Sequence, residues 1–400
     1  MQRFDVIING GGPAGLSMAA GLAHTGLQVA VIEPQSIEDI SSNKSDKRTT
    51  ALSYFTVNYF KRIGLWDELL KNAGAINDIK ILDSDFVRGD SPLDLSFSKN
   101  DVAAEIGEDA PMGYIIENHL FKDALLNFCL AQENIKIFDR ETIIHLQQNS
   151  AFVEVELSND MELSAKLLVA ADGRNSVVRE MLGIETIEKD YDQTAITLNI
   201  EHERPHNRTA IERFMPSGPF AVLPMYDELR SSVVFTTGKE AAVHYMKMGA
   251  DEFKLEISKR LGDHLGDFTP ITPRSAYPLK LKYAKEYYKG RCVLIADAAH
   301  AIHPIAGQGF NQGAKDIALL IELIKNNREV GLDIADGAIL QKYQKERFAD
   351  NRQMIFATNF FTHLFSNDKK LVTLARRVGI KAVDRISPIK RFFIKRAMGA

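Results

Sequence analysis

Apolar residues in this chain are gathered into short runs, and several of those runs end at a glycine or an aspartate. Runs of four to six largely apolar residues occupy 4–9, 29–32, 166–171 and 291–296. Short runs that are apolar at almost every position are typical of strands buried on both faces of a parallel sheet. Apolar residues at helical spacing occupy 16–27, 118–131, 241–265 and 311–324. The pattern therefore predicts alternating strands and helices.

Other stretches alternate apolar and polar residues, which indicates strands with one exposed face. They lie at 76–97, 135–157 and 194–237, while 48–63 has the spacing of a helix. We predict an α/β fold with a discontinuous Rossmann-like nucleotide-binding domain, an inserted mixed or antiparallel β-sheet domain for substrate, and a helical C-terminal region. The predicted boundaries are 1–75, 110–182 and 272–335 for the nucleotide domain, 76–109 and 183–271 for the sheet domain, and 336–400 for the helical region.

The first strand leads directly into a G-x-G-x-x-G turn, Gly10-Gly11-Gly12-Pro13-Ala14-Gly15. Gly10 permits the tight turn, Gly12 lets phosphates approach the backbone, and Gly15 lets the helix pack close to the strand. Pro13 suits a first helical turn, where N–H groups are unpaired. The turn predicts a pyrophosphate site at a helix N-terminus. The alternative is a tight strand–helix turn without a ligand.

Glu33 ends the second strand, about 20 residues after the glycines. A carboxylate at this position can accept hydrogen bonds from the hydroxyl groups of a ribose. We therefore include Glu33 in the nucleotide site. The alternative is a solvated residue at the end of a strand.

The composition excludes several classes of protein. With 45% hydrophobic and 26% charged residues, the chain can bury a large core and is not disordered. Cys129 and Cys292 fall in a predicted helix and a predicted strand, so we expect buried thiols rather than a disulfide. No apolar run reaches about 18 residues, so no transmembrane helix is expected. The net charge is −4, and we expect no nucleic-acid partner.

Two more motifs follow predicted strands. One is Ala171-Asp172-Gly173-Arg174, and the other runs from Ala296-Asp297-Ala298-Ala299-His300 to Gly307-Gln308-Gly309-Phe310-Asn311. In this order, the three motifs resemble those of the flavoprotein aromatic hydroxylases. Further segments resemble the hydroxylases of ubiquinone biosynthesis within that group; they are 46–53, 64–66, 218–224 and 397–399. The resemblance spans nearly the whole chain.

The resemblance implies FAD as the cofactor and adds residues to its site. Those residues are Arg48, Asp172, Asp297, Pro304, Gly307, Gly309 and Asn311. Asp297 would accept a hydrogen bond from a ribityl hydroxyl, and backbone N–H groups near Asn311 would face the flavin ring. Arg48 would offer a fixed cation. The alternatives are a helix cap for Asp297, a turn former for Asp172 and a surface salt bridge for Arg48.

Ala296 departs from the family pattern, which usually has glycine before this aspartate. A methyl group is tolerated there if φ is negative, whereas a positive φ would strain the turn and weaken flavin binding. His300 and His303 are three residues apart, but no suitable third ligand is nearby in sequence. We expect no metal site and predict that these histidines pack near the turn.

The activity implied by the resemblance is hydroxylation of the aromatic ring of a polyprenylated phenol in ubiquinone biosynthesis. NAD(P)H would reduce FAD, and O₂ would then react through a flavin hydroperoxide. A single G-x-G-x-x-G fits a nicotinamide cofactor that binds transiently. No catalytic side chain is assigned, because the flavin supplies the chemistry. Two alternatives stay open: a hydroxylase of a small soluble aromatic, and a flavin-binding scaffold subunit of a biosynthetic complex.

The C-terminal segment has a distinct charge. Residues 366–400 carry a net charge of +8, which leaves −12 on the rest of the chain. Aromatic residues precede it at helical spacing, at positions 356, 360, 361 and 365. One interpretation is a surface for anionic lipid or for a ubiquinone-biosynthesis complex. The other is a packed helix with a solvated charged face. We expect a cytoplasmic protein, with peripheral attachment at the inner face of the membrane as a hypothesis.

Overall fold

A computed structural model gives the architecture of the protein, and it describes residues 1–42, 46–83, 95–215, 217–302, 307–365 and 387–399. Its strands are β1 Gln2–Arg3, β2 Val6–Asn9, β3 Val29–Glu33, β4 Thr49–Ser53, β5 Gly74–Ile76, β6 Asp78–Asp83, β7 Leu95–Ser98, β8 Gly113–Glu117, β9 Ile135–Asp139, β10 Ile143–Gln148, β11 Val153–Leu157, β12 Glu162–Ala165, β13 Leu167–Ala170, β14 Thr186–His202, β15 Thr209–Met215, β16 Gly218–Pro224, β17 Arg230–Gly238, β18 Phe268–Pro270, β19 Ser275–Ala284, β20 Tyr288–Lys289, β21 Cys292–Leu294 and β22 His300–Ala301.

The α-helices lie between these strands and at the C-terminal end. They are α1 Pro13–Leu22, α2 Ile37–Ser42, α3 Tyr54–Arg62, α4 Trp66–Leu70, α5 Ala103–Ile106, α6 Asn118–Leu130, α7 Val177–Met181, α8 Lys239–Lys247, α9 Ala250–Leu261, α10 Gln308–Glu329, α11 Gly337–Phe365 and α12 Ser387–Met398.

The apolar runs form a six-stranded sheet in the order β20-β21-β13-β2-β3-β9. All neighbours in it are parallel except the pair β20 and β21. The central strands are fully buried, and α1 packs against α6 and α10 beside them. The α/β prediction is confirmed. Cys129 and Cys292 are free, buried thiols, as expected.

A nine-stranded mixed sheet forms the second layer. Its order is β22-β19-β14-β17-β16-β15-β6-β7, and β18 pairs with β14. One face is covered by α8 and α9 through a separate apolar core. The strand 275–284, which we predicted inside the nucleotide domain, pairs with β14 in this sheet instead. Its alternating burial is that of a strand with one covered face.

Two smaller sheets complete the fold. One has the order β1-β12-β11-β10, and the other is β4-β8-β5. The prediction of a helix over all of 48–63 was wrong for its first part, because Thr49–Ser53 pairs with β8 as a strand. The helix begins only at Tyr54, where the Ser53 hydroxyl accepts a hydrogen bond from the N–H of Thr56 and caps it.

The last described helix is docked on the body of the protein. Ile394 and Met398 of α12 are buried beside Ala210 of β15 and residues of the nucleotide domain. Lys390 pairs with Asp101. Within the described ranges, no helix combines the length and the apolar character needed to cross a membrane.

Candidate functional site

The predicted nucleotide-binding motifs meet at one edge of the six-stranded sheet. Strands β2, β3, β13 and β21 are neighbours that run in parallel. The residues that follow or end them are Gly10, Glu33, Asp172 and Asp297. Motifs that are far apart in sequence thus come together at the carboxyl edge, which is where open parallel sheets bind ligands.

The glycine turn needs its first and last glycines because backbone approaches backbone there. Gly10 has φ of +112°, and a Cβ on it would lie 2.5 Å from the carbonyl oxygen of Ala171. A Cβ on Gly15 would lie 1.8 Å from the carbonyl oxygen of Gly10. Gly10 therefore lets the turn pack against the backbone just after β13, and Gly15 lets α1 pack against the turn itself.

Gly12 differs from these two glycines. Its φ is −75°, and a Cβ built on it meets no atom of the described chain within 4 Å. Helix α1 begins at the next residue, Pro13, and Ala14 lies in its first turn. The free space in front of Gly12 faces unpaired N–H groups at a helix N-terminus, so it suits a phosphate.

Glu33 is buried and already holds the glycine turn. One carboxylate oxygen accepts a hydrogen bond from the N–H of Gly11 at 2.7 Å, and the other accepts one from Gln35 at 3.1 Å. Each oxygen can accept a second hydrogen bond. Glu33 can therefore bind a ribose hydroxyl while it fixes the turn, and the solvated alternative is wrong.

Asp172 has a structural role on one side of its carboxylate. Its Oδ2 accepts hydrogen bonds from the Asn9 side chain at 3.0 Å and from the backbone N–H of Val177 at 2.8 Å. Its Oδ1 is buried and has no hydrogen-bond partner among the described residues. A buried, unpaired carboxylate oxygen is costly, so a ligand hydroxyl or a water molecule is expected there.

Asp297 is free to bind a ligand. Its side chain is exposed, and no hydrogen bond to its carboxylate is found in the described part of the chain. Burial by the surrounding atoms nevertheless raises its pKa, against the influence of His300 and Arg174. The helix-cap alternative is not observed, because α10 is capped by Gly307 without a side-chain bond.

Ala296 adopts the positive φ that we expected to be unfavourable at this position. Its φ is +50°, in the left-handed region. For a residue with a Cβ this costs roughly 1 kcal/mol. A Cβ on Gly313 would lie 2.7 Å from the Ala296 methyl, so α10 passes very close to this turn.

His300 packs beside the turn, as predicted. Its Nε2 lies 2.5 Å from the carboxylate of Asp316 on α10. His303 and the predicted cofactor residue Pro304 lie outside the described residues. No group of three potential metal ligands occurs in the described ranges.

The start of α10 supplies the third part of the site. Gly307 has φ of +63°, and a Cβ there would lie 2.6 Å from the Ala51 methyl; one on Gly309 meets nothing within 4 Å in the described chain. The Asn311 side chain is fully used inside the protein. Its Nδ2 donates to the carbonyls of Ala51 and Gly307, and its Oδ1 accepts from Ser53. Backbone N–H groups are thus what this turn can offer a ligand.

Arg48 immediately precedes β4 of the three-stranded sheet and lies against the nine-stranded sheet. It forms a two-bond salt bridge with Asp46, at 2.7 and 2.6 Å, and stacks over Tyr277 at 4.6 Å. The Asp46 side chain raises the pKa of Arg48. The salt bridge weighed as the alternative is present, and a role beside the flavin stays a prediction.

Sequence reasoning missed Asp46 and Asp316. Asp46 carried a weak signal, since it precedes Arg48 by two residues. Asp316 is an isolated carboxylate within the apolar spacing of α10, and only the fold shows that it is fully buried.

Taken together, these residues fit FAD. The glycine turn and Glu33 match the adenosine pyrophosphate half, while Asp297 and the Gly307 turn match the flavin half. Free space before Gly12 and the unpaired Oδ1 of Asp172 are the observations that support the fit.

Comparisons with known proteins agree with this geometry. Residues 3–358 match the FAD binding domain family. The chain is 39% identical to the ubiquinone hydroxylase UbiL of Rhodospirillum rubrum, over 99% of this chain and 89% of the relative. It is 31% identical to the 3-demethoxyubiquinol 3-hydroxylase of Escherichia coli, over 100% of this chain and 99% of the relative.

A solved structure shows the same fold. The p-nitrophenol 4-monooxygenase PnpA of Pseudomonas putida superposes with a TM-score of 0.80 at 19% identity, and the match covers 100% of this chain and 99% of that one. The chain belongs to the family of FAD-dependent monooxygenases that contains the ubiquinone hydroxylases.

Proposed function

We propose that this protein hydroxylates the aromatic ring of a polyprenylated phenol in ubiquinone biosynthesis, using NAD(P)H and O₂. The observation that supports the proposal is the contact of β4 with one face of the nine-stranded sheet, because Ala51 of β4 also lies against the Gly307 turn, where we propose that the flavin binds. The Thr49 hydroxyl donates to the Ser232 hydroxyl at 3.0 Å across this junction. The end-to-end similarity to proteins named as ubiquinone hydroxylases supports the substrate class.

Different residues of the chain would bind different parts of FAD. Gly12 and the N-terminus of α1 would bind the pyrophosphate, Glu33 the ribose, and Asp297 the ribityl chain. The N–H groups at the start of α10 would stabilise negative charge on the reduced ring. Bound FAD supplies the redox chemistry with O₂. The protein would position the phenol on this face of the nine-stranded sheet and exclude water from the reacting atoms.

The nicotinamide cofactor is proposed to bind only transiently. The sequence has one strand-linked G-x-G-x-x-G, and FAD occupies that turn in our proposal. NAD(P)H would therefore approach the flavin and leave, rather than remain in a second Rossmann site.

A first experiment tests the cofactor and the substrate class together. The purified protein is titrated with FAD and followed by the flavin absorbance spectrum. NAD(P)H oxidation is then measured with 2-geranylphenol and with 4-hydroxybenzoate. Stimulation and ring hydroxylation with the prenylated phenol support the proposal, whereas a response to 4-hydroxybenzoate alone points to a soluble aromatic substrate. A protein that binds no flavin would contradict both activities.

A deletion strain identifies the step. Loss of the enzyme should cause one prenylated precursor that lacks a ring hydroxyl to accumulate. Quinone intermediates are profiled by mass spectrometry, with the complemented strain as the control. An unchanged profile in the deletion strain would contradict a role in this pathway.

Peripheral attachment to a membrane is a further part of the proposal. Phe356 on α11 is 73% exposed, which supports an apolar contact point ten residues before the basic C-terminal segment in sequence. The other predicted aromatic positions fall among side chains outside the described residues. In α12, however, Lys390, Lys395 and Arg396 pair with acidic residues of the body. The packed-helix alternative therefore fits α12.

The attachment test should spare α12, because truncation would remove the buried Ile394 and Met398. Phe356→Asp is compared with Val330→Asp, a substitution at another exposed apolar residue. Co-sedimentation with phosphatidylglycerol vesicles should fall for Phe356→Asp alone. Equal binding by the wild type and both variants would contradict this surface.

A further inference from the structure

Glu212 is a carboxylate on the face of the nine-stranded sheet that is turned toward the nucleotide domain. It lies in β15, where successive side chains alternate between faces. Its neighbour Ile211 belongs to the core under α8 and α9, whereas Ala210 packs against residues of the nucleotide domain. Glu212 is two residues after Ala210 in the strand, so its side chain lies on the same face as Ala210, toward the nucleotide domain.

The strand register places the cross-strand row of Glu212 between the rows of two residues on β17 and β19 that contact the nucleotide domain. Its cross-strand row contains Val234, Ala221 and Ile81. The next row on one side includes Ser232, which bonds Thr49. The next row on the other side includes Tyr277, which Arg48 covers. The row of Glu212 is therefore part of the sheet surface that faces the site.

The surroundings of Glu212 are apolar, and its charge is uncompensated. Its side chain keeps part of its accessible surface, yet no hydrogen bond or ion pair to it is found among the described residues. Burial alone raises its pKa from an ordinary value of 4.5 to about 7. A carboxyl group in this state can both accept and release a proton near neutral pH.

In the described part of the chain, the charged groups Arg48 and Lys390 on elements that cover this face already have acidic partners. Arg48 beside β4 is paired with Asp46, and Lys390 on α12 with Asp101. On the flanking strands β6 and β16, the neighbours of Glu212 are Ile81 and Ala221, which do not titrate.

We propose that the Glu212 carboxylate binds the hydroxyl group of the phenolic substrate and accepts its proton as the ring is oxygenated. This inference rests on the proposed function. The phenol O–H bond breaks and an O–H bond forms on Glu212, so the electron pair left on the phenol oxygen increases the nucleophilicity of the ring carbon. The proton returns when the product leaves. This step involves no oxidant of its own, since the oxygen atom and the two electrons come from O₂ and NAD(P)H.

The test compares Glu212→Gln with Glu201→Gln, a substitution at an exposed glutamate in β14 of the same sheet. The probes are 2-geranylphenol and its O-methyl ether. Binding is followed through the flavin absorbance of the oxidised holoprotein, and turnover through formation of the hydroxylated product. The affinity for FAD is measured in parallel to show that the cofactor site is intact.

In the wild type, kcat/KM for the phenol should rise with pH through about 7 as Glu212 ionises. Glu212→Gln should lower kcat/KM by about 100-fold at higher pH and flatten this profile, since an amide accepts no proton. It should also remove the preference for the phenol over the ether. The affinity for FAD should not change, and Glu201→Gln should behave as the wild type.

Two failures are distinguishable. If the wild type hydroxylates the phenol and Glu212→Gln does so with the same pH profile, the role of Glu212 is refuted while the proposed function stands. If the FAD-loaded wild type neither binds nor hydroxylates the phenol, the proposed function is refuted, and the proposed role of Glu212 is refuted as well.

Discussion

The backbone N–H of Ala296 donates a hydrogen bond to the carboxylate of Asp316 at 2.9 Å. Ala296 is the strained residue that immediately precedes Asp297, and Asp316 is fully buried on α10. The same carboxylate contacts His300 Nε2 at 2.5 Å and accepts from Arg347 Nε at 2.7 Å. A buried ion network thus holds the turn that carries Asp297, the residue that we propose to bind the ribityl chain of the flavin.

Ala296→Gly should relieve the strain at this turn. We expect the free energy of unfolding to rise by about 1 kcal/mol, because glycine adopts a positive φ without the steric cost of a Cβ. Urea denaturation measures the change. Ala298→Gly in the same turn serves as the control and should destabilise, since Ala298 is fully buried and its φ is not positive. If both variants lost the same unfolding free energy relative to the wild type, Ala296 would not be strained.

Asp316→Asn should destabilise the protein at neutral pH by about 3 kcal/mol, because Arg347 would lose its fully buried counter-charge and retain the less buried Asp350. Burial tends to raise the pKa of Asp316, but His300 and Arg347 lower it below its ordinary value of 3.8. The carboxylate therefore stabilises the fold above that value, and this contribution is lost as the pH falls below it.

The pH dependence separates this charge effect from a simple packing defect. The difference in unfolding free energy between wild type and Asp316→Asn should shrink between pH 7 and about pH 3. Asp109→Asn, at an exposed position, is the control and should show no such difference. If the difference in unfolding free energy between the wild type and Asp316→Asn stayed constant with pH, the charge of Asp316 would not stabilise the fold.

Gly12→Ala and Gly15→Ala should separate cofactor binding from folding. The methyl at position 12 meets no described atom, so stability should change by less than about 1 kcal/mol while FAD affinity falls sharply. The methyl at position 15 would overlap the Gly10 carbonyl, so that variant should lose stability even without FAD. Thermal unfolding of both apoproteins and FAD titration measure the two effects. Normal FAD affinity in Gly12→Ala would place the pyrophosphate elsewhere.

Glu212→Gln should stabilise the substrate-free protein as the pH rises. The pKa of Glu212 is raised to about 7 in the folded state, so ionisation between its ordinary value of 4.5 and 7 costs folding free energy in the wild type. The variant should gain on the order of 2 kcal/mol at pH 8 relative to wild type, compared with little gain near pH 4. Urea denaturation at the two pH values checks this, and an equal effect at both would argue against a desolvated carboxyl group.

Much of the nucleotide site could be predicted because its signals are local. The glycine turn, Glu33, Asp172 and Asp297 each follow a short apolar strand, and parallel strands bring their carboxyl ends to one edge. The extent of 275–284 and 49–53 could not be predicted in this way. Both segments pair with partners distant in sequence, and that pairing rather than local spacing decides their structure.

The sequence by itself determined the family, the α/β class and the candidate residues for the FAD site, because these depend on turns and strand ends a few residues long. Only the tertiary structure decided how the remaining polar groups are used. In the folded protein, the buried Asp316 carboxylate accepts a hydrogen bond from the strained Ala296. The Asn311 side chain bonds to the backbone of the protein, and Arg48 pairs with Asp46. The tertiary structure also left Glu212 unpaired among the described residues, facing the site. Burial and partners depend on contacts between distant segments, and those contacts exist only once the sheets have packed.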